Sequence, residues 1–281
     1  MASNPVLRSF EKTGRPGVNG AGTQPGRAVP PAPSADHLNA WYAQPAYGQA
    51  PPPGTPTPAA PSRYLTLDDV ITRSVVLLGV LLAAGAVSWA SPDSLRNAFI
   101  LIGFLGALGL GLYMGFSGRA NAVTSVAYAA LEGLALGGIT KLFNDQWSGI
   151  AVQAVTGTVM VAGGVLVVYK TGAVRVTPRF TKIVFAATLG VLGLMVVNLL
   201  ASFFVSGGLG LRSGGPLAIG FSLLCIVIAA SNLIVDFDMI EQSVRRGVDE
   251  KYGWYLSWGL LVTLVWLYLE ILRLLGSMRN N

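Results

Sequence analysis

The sequence predicts an all-α polytopic membrane protein of seven transmembrane helices behind a disordered Pro/Gly-rich tail, and three observations carry that reading. Of 281 residues, 52% are hydrophobic and only 11% charged, with a mean hydropathy of +0.58. Soluble domains usually run near a quarter charged. Several apolar runs reach the roughly 20 residues that cross about 30 Å of hydrocarbon. Between them stand short clusters of Gly, Pro, Ser and charged residues that read as turns.

Residues 1–62 are rich in Pro, Gly, Ala, Ser and Gln, with runs such as Pro30-Pro31-Ala32-Pro33 and Pro51-Pro52-Pro53-Gly54. Such a composition buries too little apolar surface to offset its ordering entropy, so a disordered tail of polyproline character is expected. No apolar core ahead of a small-residue cleavage site marks it as a signal peptide. Trp41, Tyr42 and Tyr47 are candidate docking points for a partner, although a solvated tail with incidental aromatics is the plainer reading.

The transmembrane domain, 63–281, begins in order at Thr66-Leu67-Asp68-Asp69, where a hydroxyl followed three residues later by a carboxylate is a capping-box pattern. The first span covers about 70–90, and Ser91-Pro92-Asp93 turns the chain into a second at about 97–116. Ser117-Gly118-Arg119-Ala120-Asn121 closes it, and the third and fourth spans occupy about 123–143 and 150–169. A basic, Gly-containing turn at 170–178 leads to the fifth at about 180–205. After a Gly-rich loop at 206–216, the sixth and seventh spans cover about 217–241 and 254–275. A re-entrant last segment is the main way the count falls to six.

Cytoplasmic loops carry the Lys/Arg excess of a membrane protein. The tail arginines, Arg63, Arg119, Lys170, Arg175, Arg179, Arg245, Arg246 and Lys251 fall on the amino-terminal side, against Arg96, Lys141, Arg212 and Arg279 on the other. The amino terminus is therefore expected in the cytoplasm. Gly103, Gly106, Gly109, Gly111, Gly115, Gly133 and Gly137 stud the second and third spans. Small residues let helices approach closely in lipid, here within the bundle rather than at a dimer face.

Several function classes are excluded by composition. The net charge of +6 has no aromatic-interleaved basic cluster behind it, so no nucleic-acid partner is expected and the bilayer itself is the expected surroundings. Cys225 is the one cysteine and His37 the one histidine, which rules out an intramolecular disulfide and a His/Cys metal site within the membrane. No span offers a histidine to activate a serine, and the last span has no Schiff-base lysine. Neither a Walker A loop nor a dinucleotide-binding fingerprint follows a strand, and aspartates occur in one span alone. No enzyme activity and no cofactor are expected.

The acids of the apolar portion remain: Glu132, Asp236, Asp238 and Glu270. Ionisable groups in a membrane helix are costly and face protein, water or a transported ion. Asp236 and Asp238 point roughly 200° apart on a helix. Asn232 shares the face of Asp236, whereas Asp238 aligns with Glu241 and Arg245, an ordinary surface pair. Asp236 is thus read as the inward acid and Asp238 as the interfacial one. Depth is fixed only to about one turn, which leaves open that both are solvated. Glu132 stands mid-span and needs a proton, a partner helix or water, with Arg119 and Asn198 as candidate partners. Glu270 and Arg273, at i,i+3, are read as an interfacial ion pair.

Segment 128–138 with Glu132-Gly133, the stretch Val235-Asp236-Phe237-Asp238-Met239-Ile240, and the ending Leu267-Tyr268-Leu269-Glu270-Ile271-Leu272-Arg273-Leu274-Leu275-Gly276 resemble the Bax inhibitor-1/YccA family, also called the transmembrane Bax inhibitor motif family. The resemblance covers about 65–276, and Asn4-Pro5-Val6-Leu7-Arg8 is similar to the start of bacterial members, which implies a bacterial plasma membrane. It implies seven helices with the last surrounded by the other six. It also implies a pH-sensitive calcium leak, with Ca2+ as transported ion, gated by two aspartates of the last two helices and helped by an arginine. Two carboxylates held close cannot both ionise, so such a pair senses pH. The first aspartate falls on Asp236. Aligning the closing Leu-Arg-Leu-Leu-Gly places Thr263 at the second, whereas aligning Leu-Tyr-Leu-acid places Glu270 there, toward the far helix end. The Thr263 register is preferred, and it leaves the two-acid sensor incomplete; Arg119 is the loosely placed latch candidate. Two functions follow: a cation leak using Asp236 and Glu132, or a non-conducting modulator that binds another membrane protein, such as a membrane protease.

Overall fold

A computed structural model of the chain describes residues 63–204, 209–210 and 215–279, all within one compact unit. The expected tail, 1–62 with its three aromatics, lies outside the described residues, as do parts of the Gly-rich loop. Seven long apolar helices follow one another: α1 Leu67–Ala90, α2 Asp93–Ser117, α3 Ala122–Gln146, α4 Ile150–Lys170, α5 Pro178–Ser202, α6 Pro216–Arg245 and α7 Gly253–Arg279. A single 3-10 turn, Glu250–Tyr252, precedes α7. The last segment is one continuous helix rather than a re-entrant one.

Local chemistry sets the helix ends. Thr66 and Asp69 form the reciprocal capping box at the start of α1, and Asn121 and Thr124 form one at the start of α3. Pro178 opens α5 behind the capping hydroxyl of Thr177, so that helix starts inside what the sequence reads as a turn. Asp93 likewise opens α2 rather than closing a turn. α6 runs four residues past the expected 241, because a helix continues into water until something stops it. Gly247 does so at φ 63°, a left-handed conformation glycine adopts without strain. The chain entering α1 is strapped to the α6–α7 turn: Leu65 N–H donates to the Val248 carbonyl at 2.9 Å, and Glu250 N–H to the Arg63 carbonyl at 3.0 Å.

Lipid supplies no hydrophobic drive between helices, so association rests on close packing and hydrogen bonds. α1, α2 and α3 meet almost backbone to backbone. A Cβ on Gly133 would strike the Leu81 carbonyl, one on Gly137 the Gly85 carbonyl, and one on Gly103 the Leu131 carbonyl. The expected internal role of the glycines fits these positions, but a Cβ on Gly109 would meet open space.

α7 is the hub. Trp258 packs edge-on against Tyr128 of α3, centroids 5.9 Å apart, among Leu77 and Leu81 of α1 and Ala107 and Met114 of α2. Leu267, Ile271 and Leu272 pack with Ile150 and Ala154 of α4 and Ala229 of α6. Trp266 packs against the cluster that Val191 of α5 forms with Phe221 and Ile228 of α6. The last helix is therefore central, packed most closely against α1, α3, α4 and α6. Large apolar side chains such as Leu101, Phe104 and Leu105 of α2 face outward, toward the hydrocarbon of a multi-pass membrane protein.

Candidate functional site

α6 carries the polar line that the helical phase of its sequence describes. Leu233 and Ile234 enter the core against Val165 of α4 and Leu260 and Leu264 of α7, and Ile240 is buried with Leu65, Val70 and Leu256. That packing fixes the rotation of the helix and turns Asn232 and Asp236 toward its neighbours. The Asn232 amide donates to the Thr188 hydroxyl of α5 at 2.8 Å and to its own Ile228 carbonyl at 2.9 Å. The Asp236 carboxyl lies beside the Thr263 hydroxyl of α7. Its second oxygen, Oδ2, is sealed from the surface without a hydrogen-bond partner. Thr263 Oγ1 also lies 3.3 Å from the Gly259 carbonyl.

This geometry has a chemical consequence. Thr263 has one proton and two acceptors within reach. An ionised Asp236 accepts that proton in a hydrogen bond. A protonated Asp236 donates instead, and the threonine proton is free to turn to Gly259. The seam between α6 and α7 can therefore hold either protonation state of Asp236 by rotating one hydroxyl.

The exposed end of α6 is arranged differently. Asp238 accepts from Gln242 Nε2 at 2.6 Å, and Glu241 pairs with Arg245 and also accepts from the Tyr169 hydroxyl of α4. Asp238 is thus held within its own helix, and Glu241 by its own helix and Tyr169 of α4, both apart from the Asp236 seam.

Three expectations need correction. Glu132 is half-buried on α3 and makes no hydrogen bond or ion pair among the described residues; Asn198 instead accepts from Leu209 N–H at 3.0 Å. Arg119 is exposed and reaches neither Glu132 nor Asp236, because the α2–α3 turn carries it out to the bundle's edge. Glu270 and Arg273 do pair, at 2.8 Å, but Glu270 is only 1% exposed. The pair is interior rather than interfacial, because α7 is enclosed along its length.

Other polar groups have no place in the sequence reading. Arg73, in the second turn of α1, donates to the Glu250 carbonyl and stacks over Trp254 at 5.3 Å. A cation so close to the start of an apolar run was the available signal. Thr188 and Tyr169 carried none, since their roles depend on which helix lies alongside. Tyr268 and Thr140 share a buried hydrogen bond of 2.9 Å between α7 and α3.

A family model described as Bax inhibitor 1 like matches residues 4–280. The chain belongs to that family. No curated protein sequence matches it. Within this Bax inhibitor 1 like chain, the apolar seam between α6 and α7 encloses one carboxyl and one hydroxyl side by side, Asp236 and Thr263. No group of three or more His, Cys, Asp or Glu residues is placed to hold a metal ion among the described residues.

Proposed function

We propose that the protein is a pH-sensitive cation leak, with calcium as the ion, and that Asp236 is its sensing and ion-attracting group. The observation that supports this most is Asp236 Oδ2, a carboxylate oxygen inside a bundle of membrane helices with no hydrogen-bond partner. Such an oxygen is costly to bury unless a proton or cation visits it. The single proton of Thr263, with two acceptors to choose between, lets the seam accommodate both states. Glu132, half-buried and unpaired among the described residues, is the second acid of the path. We place the protein in a bacterial plasma membrane with its amino terminus in the cytoplasm, acting without catalysis or a resident cofactor.

Purified protein in calcium-loaded vesicles tests this reading. Asp236→Asn is expected to lower the flux and flatten its pH dependence, and Glu132→Gln to lower it less. Wild-type flux from both variants would overturn the proposal. A second reading, a non-conducting modulator of another membrane protein, draws on Thr263 in place of a second acid and on the neutralisation of Glu270 by Arg273. Calcium flux from the purified chain alone would count against it.

A further inference from the structure

Where α2 ends, α3 begins and α7 begins, the chain leaves a cavity of about 530 Å³ at the bundle's edge. Arg119 of the α2–α3 turn and Lys251 of the 3-10 turn before α7 reach it from parts of the chain far apart in sequence. Neither side chain has a hydrogen bond or ion pair among the described residues, and no carboxylate lines the cavity. Arg63, Arg96, Arg245 and Arg273, by contrast, are all matched to acids. Asn121 and Thr124, also on its wall, bond to each other in the α3 capping box, which leaves the two cations as its charged ligands.

The remaining walls are the aromatic rings of Tyr113 and Trp254. Trp254 is held in place by the Arg73 guanidinium over its ring. Near the cavity in sequence, Phe116 at the end of α2 is 88% and Val123 at the start of α3 77% exposed. Both turns lie at the ends of membrane-crossing helices, the depth at which lipid headgroups sit and where Trp and Tyr gather. A charged pocket opening sideways onto a hydrocarbon-facing surface matches a molecule with an anionic head and apolar tails.

We propose that this cavity is a binding site for the phosphate of an anionic phospholipid, with Arg119 and Lys251 as its ligands and Tyr113 and Trp254 as its walls. The acyl chains would lie along Phe116 and the outer face of α2. Phosphate geometry suits the Arg119 guanidinium, which offers parallel donors, while Lys251 supplies a second point charge.

The test uses the full chain in detergent, with bound lipid counted by native mass spectrometry against phosphatidylglycerol and phosphatidylcholine of identical acyl chains. Wild type is expected to retain phosphatidylglycerol in preference. Each of Arg119→Gln and Lys251→Gln should weaken retention about fivefold, and the pair more than tenfold. The exchange Arg119→Lys with Lys251→Arg should restore most of it. Lys170→Gln with Arg175→Gln removes the same charge from exposed positions of another turn on the same side and should leave retention unchanged. Full retention by the Arg119/Lys251 variant, or equal loss from the Lys170/Arg175 variant, would overturn the site in favour of diffuse attraction. Displacement of the lipid by inorganic phosphate as readily as by phosphatidylglycerol would overturn the lipid assignment and leave a soluble-anion site.

Discussion

Asp236 and Glu270 are carboxyls enclosed by the same bundle, and each has one oxygen sealed away without a hydrogen-bond partner. What differs is the group on the other oxygen. Glu270 faces the Arg273 guanidinium, 2.8 Å away on its own helix. Asp236 has the Thr263 hydroxyl beside it, from the helix alongside, and no ion pair among the described residues. A guanidinium is always charged and offers a fork of donors, so it pairs with Glu270 and fixes it in place. A hydroxyl is neutral and can donate or accept, so it lets a proton or cation come and go. One buried acid is thereby suited to structure, and the other to a response.

The largest expected effect breaks the structural member. Arg273→Met leaves Glu270 as an uncompensated charge, which costs about 3–5 kcal/mol when a buried pair loses one partner. Unfolding in detergent measures it, and adding Glu270→Leu should recover most of the loss. A cost in the single variant no greater than that of Asp236→Asn would abolish the distinction between the two acids.

Thr263→Asp converts the responsive member toward a two-acid site. Two carboxyls side by side answer to pH as a pair rather than singly. Calcium flux through this variant should therefore depend on pH more steeply than flux through wild type. Flux with the wild-type pH dependence would show that the α6–α7 seam does not bring positions 236 and 263 together.

Asp236→Asn keeps the shape and one acceptor while removing the charge. Its stability should stay within about 1 kcal/mol of wild type. Calcium flux should fall nonetheless, which separates function from folding at this residue.

The sequence made the spans legible because apolar length and turn chemistry are local properties; the Thr66–Asp69 capping box and the separation of Asp236 from Asp238 by helical phase are examples. Family spacing singled out Thr263 on α7, and the fold sets its hydroxyl beside Asp236. What stayed hidden were contacts set by the rotation and depth of a neighbouring helix. Asn232 meets Thr188, and Tyr169 meets Glu241, across helices whose sequences give no hint of the match. Glu270 was misjudged for the same reason: an i,i+3 pair is local, but whether it lies in lipid headgroups or protein depends on the six helices around α7.

The smallest effect concerns that hidden contact. Thr188→Val removes the acceptor of the Asn232 amide but preserves side-chain volume, and Asn232 keeps its bond to the Ile228 carbonyl. Interhelical hydrogen bonds in membrane proteins average about 0.6 kcal/mol, so the loss should be of that order. A double-mutant cycle with Asn232→Leu measures the coupling directly. Coupling near zero would mean that Asn232 is held by its own helix alone, and that Asp236 responds beside a neighbour free to turn. Coupling as large as that of Glu270 with Arg273 would place the two polar regions in one structural class, and the contrast between a fixed acid and a responsive one would fail.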